Sequence, residues 1–184
     1  MAFFSCIILC IRVYTQDSIR DNIMTALSDY LESGLLHHVF RGETFPKPAN
    51  IAIALCSGVP IDSDTGVANY ENGGPLPEIP SGDGAVDYGY RRYDLGDPST
   101  NGDAAWLYDQ DDHDAGSGLI KNDSTILFAT ALQDWGWVSG VAVVDSGEWG
   151  TGNMLMYAQL NNPRIIYQGD TVKFDLSTLK IKFS

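Results

Sequence analysis

Apolar residues recur at every fourth position from Ile19 through Ile23, Leu27 and Leu31 to Leu35, and Met24, Tyr30 and Gly34 widen the stripe. That spacing keeps one face of a helix apolar and predicts an amphipathic helix over residues 18–40. Ser18 suits the N-cap, with Asp21 in the first turn where an acid faces the helix dipole. Gly42, Pro46 and Pro48 close the element. No second helix is expected. Leu27, Leu31 and Leu35 should seat the helix on a sheet or on a partner.

Beyond Pro48 the period shortens to two. Ile51, Ile53 and Leu55 share one face of a short apolar run from Asn50 to Cys56. Further strands are expected at Tyr88–Leu95, Ala104–Tyr108, Ser124–Ala129, Trp135–Asp145 and Asn153–Leu160. At the end of the chain Val172, Phe174 and Leu176 alternate with Lys173 and Asp175, then Leu179, Ile181 and Phe183 with Lys180 and Lys182. Such alternation marks strands with one buried face. Seven or eight short strands separated by turn signals, without βαβ alternation, predict a mainly β fold. The expected domain is an antiparallel β-sandwich or barrel-like unit over 48–184. Ten glycines and prolines crowd the interval from Ser57 to Val86, so a loop insertion is expected over about 57–123.

Ahead of the helix, residues 1–17 read as an apolar arm carrying Phe3, Phe4, Ile7, Ile8, Leu9 and Ile11. No positive charge precedes the run and no clean small-residue cleavage site follows it, unlike a secretory signal. It is too short to span a bilayer as a helix. The expectation is an arm buried on a neighbouring subunit, with these six residues and Leu27, Leu31 and Leu35 forming the interface.

Charge sharpens the picture. The 184 residues hold 24 acids against 11 lysines and arginines, a net charge of −13. Fourteen of the acids lie between Asp62 and Asp123 against Arg91, Arg92 and Lys121, leaving −11 in that stretch. A phosphate backbone is repelled by such a sector, so direct nucleic-acid binding is not expected.

Candidate chemistry is sparse. Cys6, Cys10 and Cys56 are too few for a disulfide framework, and neither His37 nor His38 stands at zinc-ligand spacing from them. Asp109, Asp111, Asp112 and Asp114 form the one cluster with ligand potential for calcium. It lacks the mid-loop glycine and distal glutamate of an EF-hand, so a solvated acidic loop is the expectation. No nucleophile-elbow, zinc-protease or P-loop motif occurs, and neither an enzyme nor a cofactor is expected. Trp135, Trp137 and Trp149 flank the strand Val138–Val144. They could stack on sugars, but plugging the end of a sandwich is the commoner use.

Several segments carry a resemblance. They are Leu27-Ser28-Asp29-Tyr30-Leu31, Leu35-Leu36, Phe40-Arg41-Gly42, Pro48 with Ile53-Ala54-Leu55, and Gly89-Tyr90-Arg91-Arg92. Asp134-Trp135-Gly136 follows, running into Gly140-Val141 and Asp145, then Gly152 to Tyr157 and Gly169-Asp170-Thr171. In this order, over roughly 160 residues, the chain resembles a family of small phage virion structural proteins, labelled either capsid decoration (cement) or tail-fibre-like. The resemblance implies a compact β domain behind one helix. It also implies a surface place in the particle and contact with the major capsid protein or other virion proteins. A homo-oligomer with no membrane contact is expected, and capsid decoration is the role expected first. A tail-fibre or receptor-binding module gripping a host glycan is the alternative, and a hydrolase acting on that glycan a third.

Overall fold

The computed structural model describes residues 9–11, 23–66, 76–80, 86–108 and 119–182. In chain order the elements begin with β1 (Leu9–Ile11), β2 (Ile23–Leu27), α1 (Asp29–Arg41), β3 (Ile51–Cys56), β4 (Tyr93–Gly96) and α2 (Pro98–Ala105). They continue with β5 (Trp106–Tyr108), β6 (Leu119–Asn122), β7 (Ile126–Leu127), β8 (Gly136–Val144), β9 (Met154–Ile166), β10 (Lys173–Phe174) and β11 (Lys180–Lys182). The central sheet runs β1-β2-β9-β8-β3-β4, with every neighbouring pair antiparallel. A three-stranded sheet, β11-β6-β5, and the pair β10-β7 complete a mainly β, antiparallel domain.

The two faces of the central sheet bury different side chains. In β3 the large residues Ile53 and Leu55 join the main core, together with Val141 and Val143 of β8. Ile126, Phe128, Phe174, Leu179 and Ile181 from the smaller sheets and their flanks belong to the same core. Opposite them, Ala52, Ala54 and Cys56 line up with Ala142, Val144 and Met154 in a second cluster closed by Leu76. Small side chains here let covering loops lie close. Gly140 shows how close: a Cβ there would stand 2.6 Å from the Gly58 carbonyl and 2.8 Å from Pro60.

The helix starts later than the leucine spacing predicts. Ile23–Leu27 is a strand, paired with Met156 to Ala158 of β9 through Leu27, Ala26 and Thr25. A four-residue repeat is also an even one, so it satisfies a strand face as well as a helix face. Ser28 then turns the chain with extended backbone (φ −76°, ψ 156°), and its side chain accepts from the Leu31 amide as the N-cap of α1. Gly42 in the left-handed region (φ 71°) closes the helix. Ser18 and Ile19, expected at the helix start, lie outside the described residues.

A second helix is present where none was expected. α2 opens with Asp97, whose carboxylate accepts from the Ser99 amide at 2.7 Å, followed by Pro98 in the first turn. The interval 57–123 is likewise more than a loop insertion. It supplies β4, α2, β5 and β6, and places Ile79 and Tyr90 fully buried in the main core. Leu176 departs from the expected alternation: it is 54% exposed, because the strand ends at Phe174 and Ser177 takes a positive φ of 61°. Phe183 lies outside the described residues.

Candidate functional site: a clamped loop layer and exposed apolar surfaces

Arg92 organises the loops at one end of the sheet. Its guanidinium is buried and uses all five N–H donors. Nε and one terminal nitrogen bind the two carboxylate oxygens of Glu78 at 2.8 and 2.7 Å. The remaining donors reach the carbonyls of Ser146 (3.0 Å), Thr151 (2.8 Å) and Gly66 (3.1 Å). The β3–β4 connection and the β8–β9 turn therefore converge on one side chain. Glu78 also accepts from the Tyr90 hydroxyl at 2.9 Å, and that oxygen in turn accepts from the Leu55 amide of β3. Burial pushes the Tyr90 phenol well up, reinforced by the Glu78 charge. The Cys56 thiol beside them is raised for the same reasons, which keeps it protonated.

Two of the tryptophans flanking β8 have separate fates. Trp135 is buried, donates from its indole to the Tyr88 carbonyl at 2.7 Å, and meets Tyr90 edge-on at 5.4 Å. Tyr90 stacks on Phe128, and Phe128 meets Phe174, so an aromatic column fills the space between the sheets. This is the plug expected from the sequence. Trp137 is 55% exposed and directly opposite Ile165 in β9, itself 38% exposed. Val59 and Ile61, both exposed, stand in the loop that crosses this sheet beside it, where Ser139 Oγ donates to the Ser57 carbonyl. Trp149, further on, is partly exposed and ties its indole to the Ile79 carbonyl at 2.9 Å.

The outer face of α1 is also apolar. Leu36, Val39 and Phe40 are exposed at helical spacing, Phe40 to 79%. Gly34 seats the ring of Phe45 directly on the helix backbone, and Phe45 in turn meets Tyr30 at 5.7 Å. His37 and Arg41 pair with Glu43 at the helix end, both at 3.3 Å.

A cleft opens beneath β9. Opposite Ser139, between the pairs Val138–Arg164 and Gly140–Gln159, β9 carries extra residues and arches away from β8, taking up Pro163 without a ladder bond. The cleft under the arch holds about 450 Å³. Val138, Leu160, Ile166 and Val172 form its floor, and Asn162, Arg164, Asp170, Thr171 and Lys173 its rim.

Of the residues expected to form an interface, Leu27 and Leu31 are buried in the chain's own core, with Leu35 packed against it. Leu9 and Ile11 belong to β1, whose backbone pairs with Thr25 and Ile23 of the same chain. Phe3, Phe4, Ile7 and Ile8 lie outside the described residues, as do the calcium candidates Asp109, Asp111, Asp112 and Asp114. Among the described residues no group of His, Cys, Asp and Glu is arranged to hold a metal ion. No helix among them is long and apolar enough to cross a membrane.

The described residues form an antiparallel β domain with loops clamped by a buried ion pair and apolar side chains exposed on its surface. The family described as Podophage GP4 fiber I protein gp80 matches residues 26–182, from the end of β2 through β11, and this chain belongs to it. It is a phage virion structural protein, in the kind of family that the sequence resembles. No curated protein matches the chain.

Proposed function

We propose that the chain is a subunit of a phage fibre, acting without catalysis by binding other virion proteins and copies of itself at the particle surface. The family match over 26–182 carries this reading, because the family is described by its fibre. It favours the fibre alternative over the capsid-decoration role expected first from the sequence. The exposed Trp137–Ile165 pair and the outer face of α1 supply apolar surface for such contacts. Several polar side chains of the described part hold structure, with Glu78 on Arg92, Asp145 on Asn153 and Asp134 on the Gln168 amide.

Copy number tests the proposal. A fibre subunit occurs in tens of copies per particle, whereas a shell-decorating protein approaches the number of major capsid proteins, about an order of magnitude more. Quantitative mass spectrometry of purified particles separates the two, and a ratio near that of the capsid protein overturns the fibre reading. Trp137→Ser is expected to leave the fold intact and to lower incorporation into particles.

A further inference from the structure

We propose that Phe40 of one copy seats in the cleft under the β9 arch of the next, joining copies head to tail. Phe40 is the most exposed large apolar side chain of the described part, at 79%, and Leu36 and Val39 continue its stripe along α1. Its place is fixed before any contact. Gly42 closes the helix two residues on, His38 Nδ1 donates to the Glu43 carbonyl at 2.8 Å, and the Phe45 ring is seated against Gly34. An anchor held in this way loses little freedom on binding.

The cleft is the matching hollow. Its volume of about 450 Å³ over a floor of Val138, Leu160, Ile166 and Val172 takes a phenyl ring with an aliphatic side chain beside it. The rim cations are already engaged, Lys173 with Asp175 and Arg164 within the chain, so the cleft calls for no charged ligand. What remains to be recognised is the floor. An aromatic anchor in an apolar pocket is how interfaces concentrate their binding energy. Ile165 at the cleft edge lies opposite Trp137, which extends the apolar lining and gives Leu36 and Val39 of the incoming helix a place to rest. Asn162 and Thr171 on the rim carry donors suited to the carbonyls that a helix leaves open at its C-terminus.

Knob and hollow are separate surfaces of the same chain, and Phe40 is exposed, so it does not fill its own cleft. A contact between two different surfaces of one chain is heterologous and repeats from copy to copy, into a ring or a filament. Neither surface is drawn from the stretch Asp62–Asp123, which carries −11 of the net −13 and would repel its own copies. The inference deepens the fibre reading and rests on it for why copies are joined.

Sedimentation of the full chain over a range of concentrations tests the contact. The parent is expected to associate beyond a dimer as concentration rises. Phe40→Asp removes the knob and Thr171→Trp fills the cleft; both positions are exposed, so melting temperatures should not change. Each variant alone should associate about thirtyfold or more weakly than the parent. Mixed, they should form a one-to-one dimer that grows no further, because one keeps its cleft and the other its knob. A monomeric parent, a mixture that stays monomeric, or either variant associating like the parent overturns the contact. Pairing of α1 with α1 would spare Thr171→Trp and is excluded or established by the same series. Copy number in particles is measured independently, so the fibre assignment stands or falls separately.

Discussion

Ser28 joins the helix to the sheet. Its Oγ donates to the carbonyl of Met154, 126 positions away in sequence, while accepting from the Leu31 amide at 3.2 Å. Both groups are buried, and the Ser28 amide adds a third link to the Leu155 carbonyl at 3.0 Å. Leu155 is the extra residue where β9 slips register against Val143 and Val144, so the serine anchors α1 at an irregular point of the sheet.

Ser28→Ala removes the cap, worth about 1 kcal/mol, and leaves a buried carbonyl without its donor, worth about 1–3 kcal/mol. A loss of about 2–3 kcal/mol is expected, read as a lower urea midpoint at constant slope. Ser28→Asp keeps a capping acceptor but has no proton for Met154, so it should not restore stability.

Breaking the Arg92–Glu78 pair from one side strands a buried charge. Glu78→Gln and Arg92→Met are each expected to cost about 3–5 kcal/mol. Arg92→Lys keeps the charge but cannot serve five acceptors, and should lose about as much as Arg92→Met. Chemical denaturation of the three variants checks the order. A near-neutral Arg92→Lys protein means that charge alone holds the loops.

Gly34→Ala reverses a general rule. In an open helix the change stabilises by about 1 kcal/mol. Here the new Cβ falls on the Phe45 ring, so the ring must leave the helix and its contact with Tyr30. A net loss of about 1–2 kcal/mol is expected by thermal unfolding. Gly34→Ala combined with Phe45→Ala should recover part of it.

Asp64 sets a pH dependence. It is buried, and desolvation raises its carboxyl above the ordinary value against the lowering effect of the Ile61 amide, which donates to it at 2.9 Å. A raised acid favours the folded state while protonated. Its contribution is therefore greatest below the unfolded value of about 3.9 and is lost as pH climbs through the higher folded value. Asp64→Asn removes this penalty and keeps an acceptor for Ile61. The variant should be more stable than the parent at neutral pH, and the gap should close in acid.

Strands announced themselves where both faces are buried or alternation is strict. Ile51–Cys56 and Gly140–Val144 are apolar throughout, and Leu179 and Ile181 alternate with lysines. Leucines four apart serve a strand or a helix equally, so their spacing does not fix the helix start, and the cap at Ser28 does. Asp97-Pro98 did signal a helix, but the residues after it carry no apolar stripe. The Arg92–Glu78 pair was hidden for a different reason. Its members stand 14 positions apart in an acid-rich stretch, and only the folded loops bring them together. The cleft depends on a register shift in β9, and period-two patterning carries no such information.

The pairing of β2 with β9 also dictates when the domain forms. Thr25 meets Ala158 and Leu27 meets Met156, so β2 waits for a partner strand that is made much later. Until β9 leaves the ribosome, β8 lacks one of its two neighbours and β2 has only β1 to pair with. Folding is thus deferred until β9 has been made, and loop closure on this scale places it among slow, non-local folders. In the interval the apolar β3 and β8 segments are unprotected. Overproduction at low temperature, where initiation slows and nascent chains are fewer, is the condition under which soluble subunit accumulates.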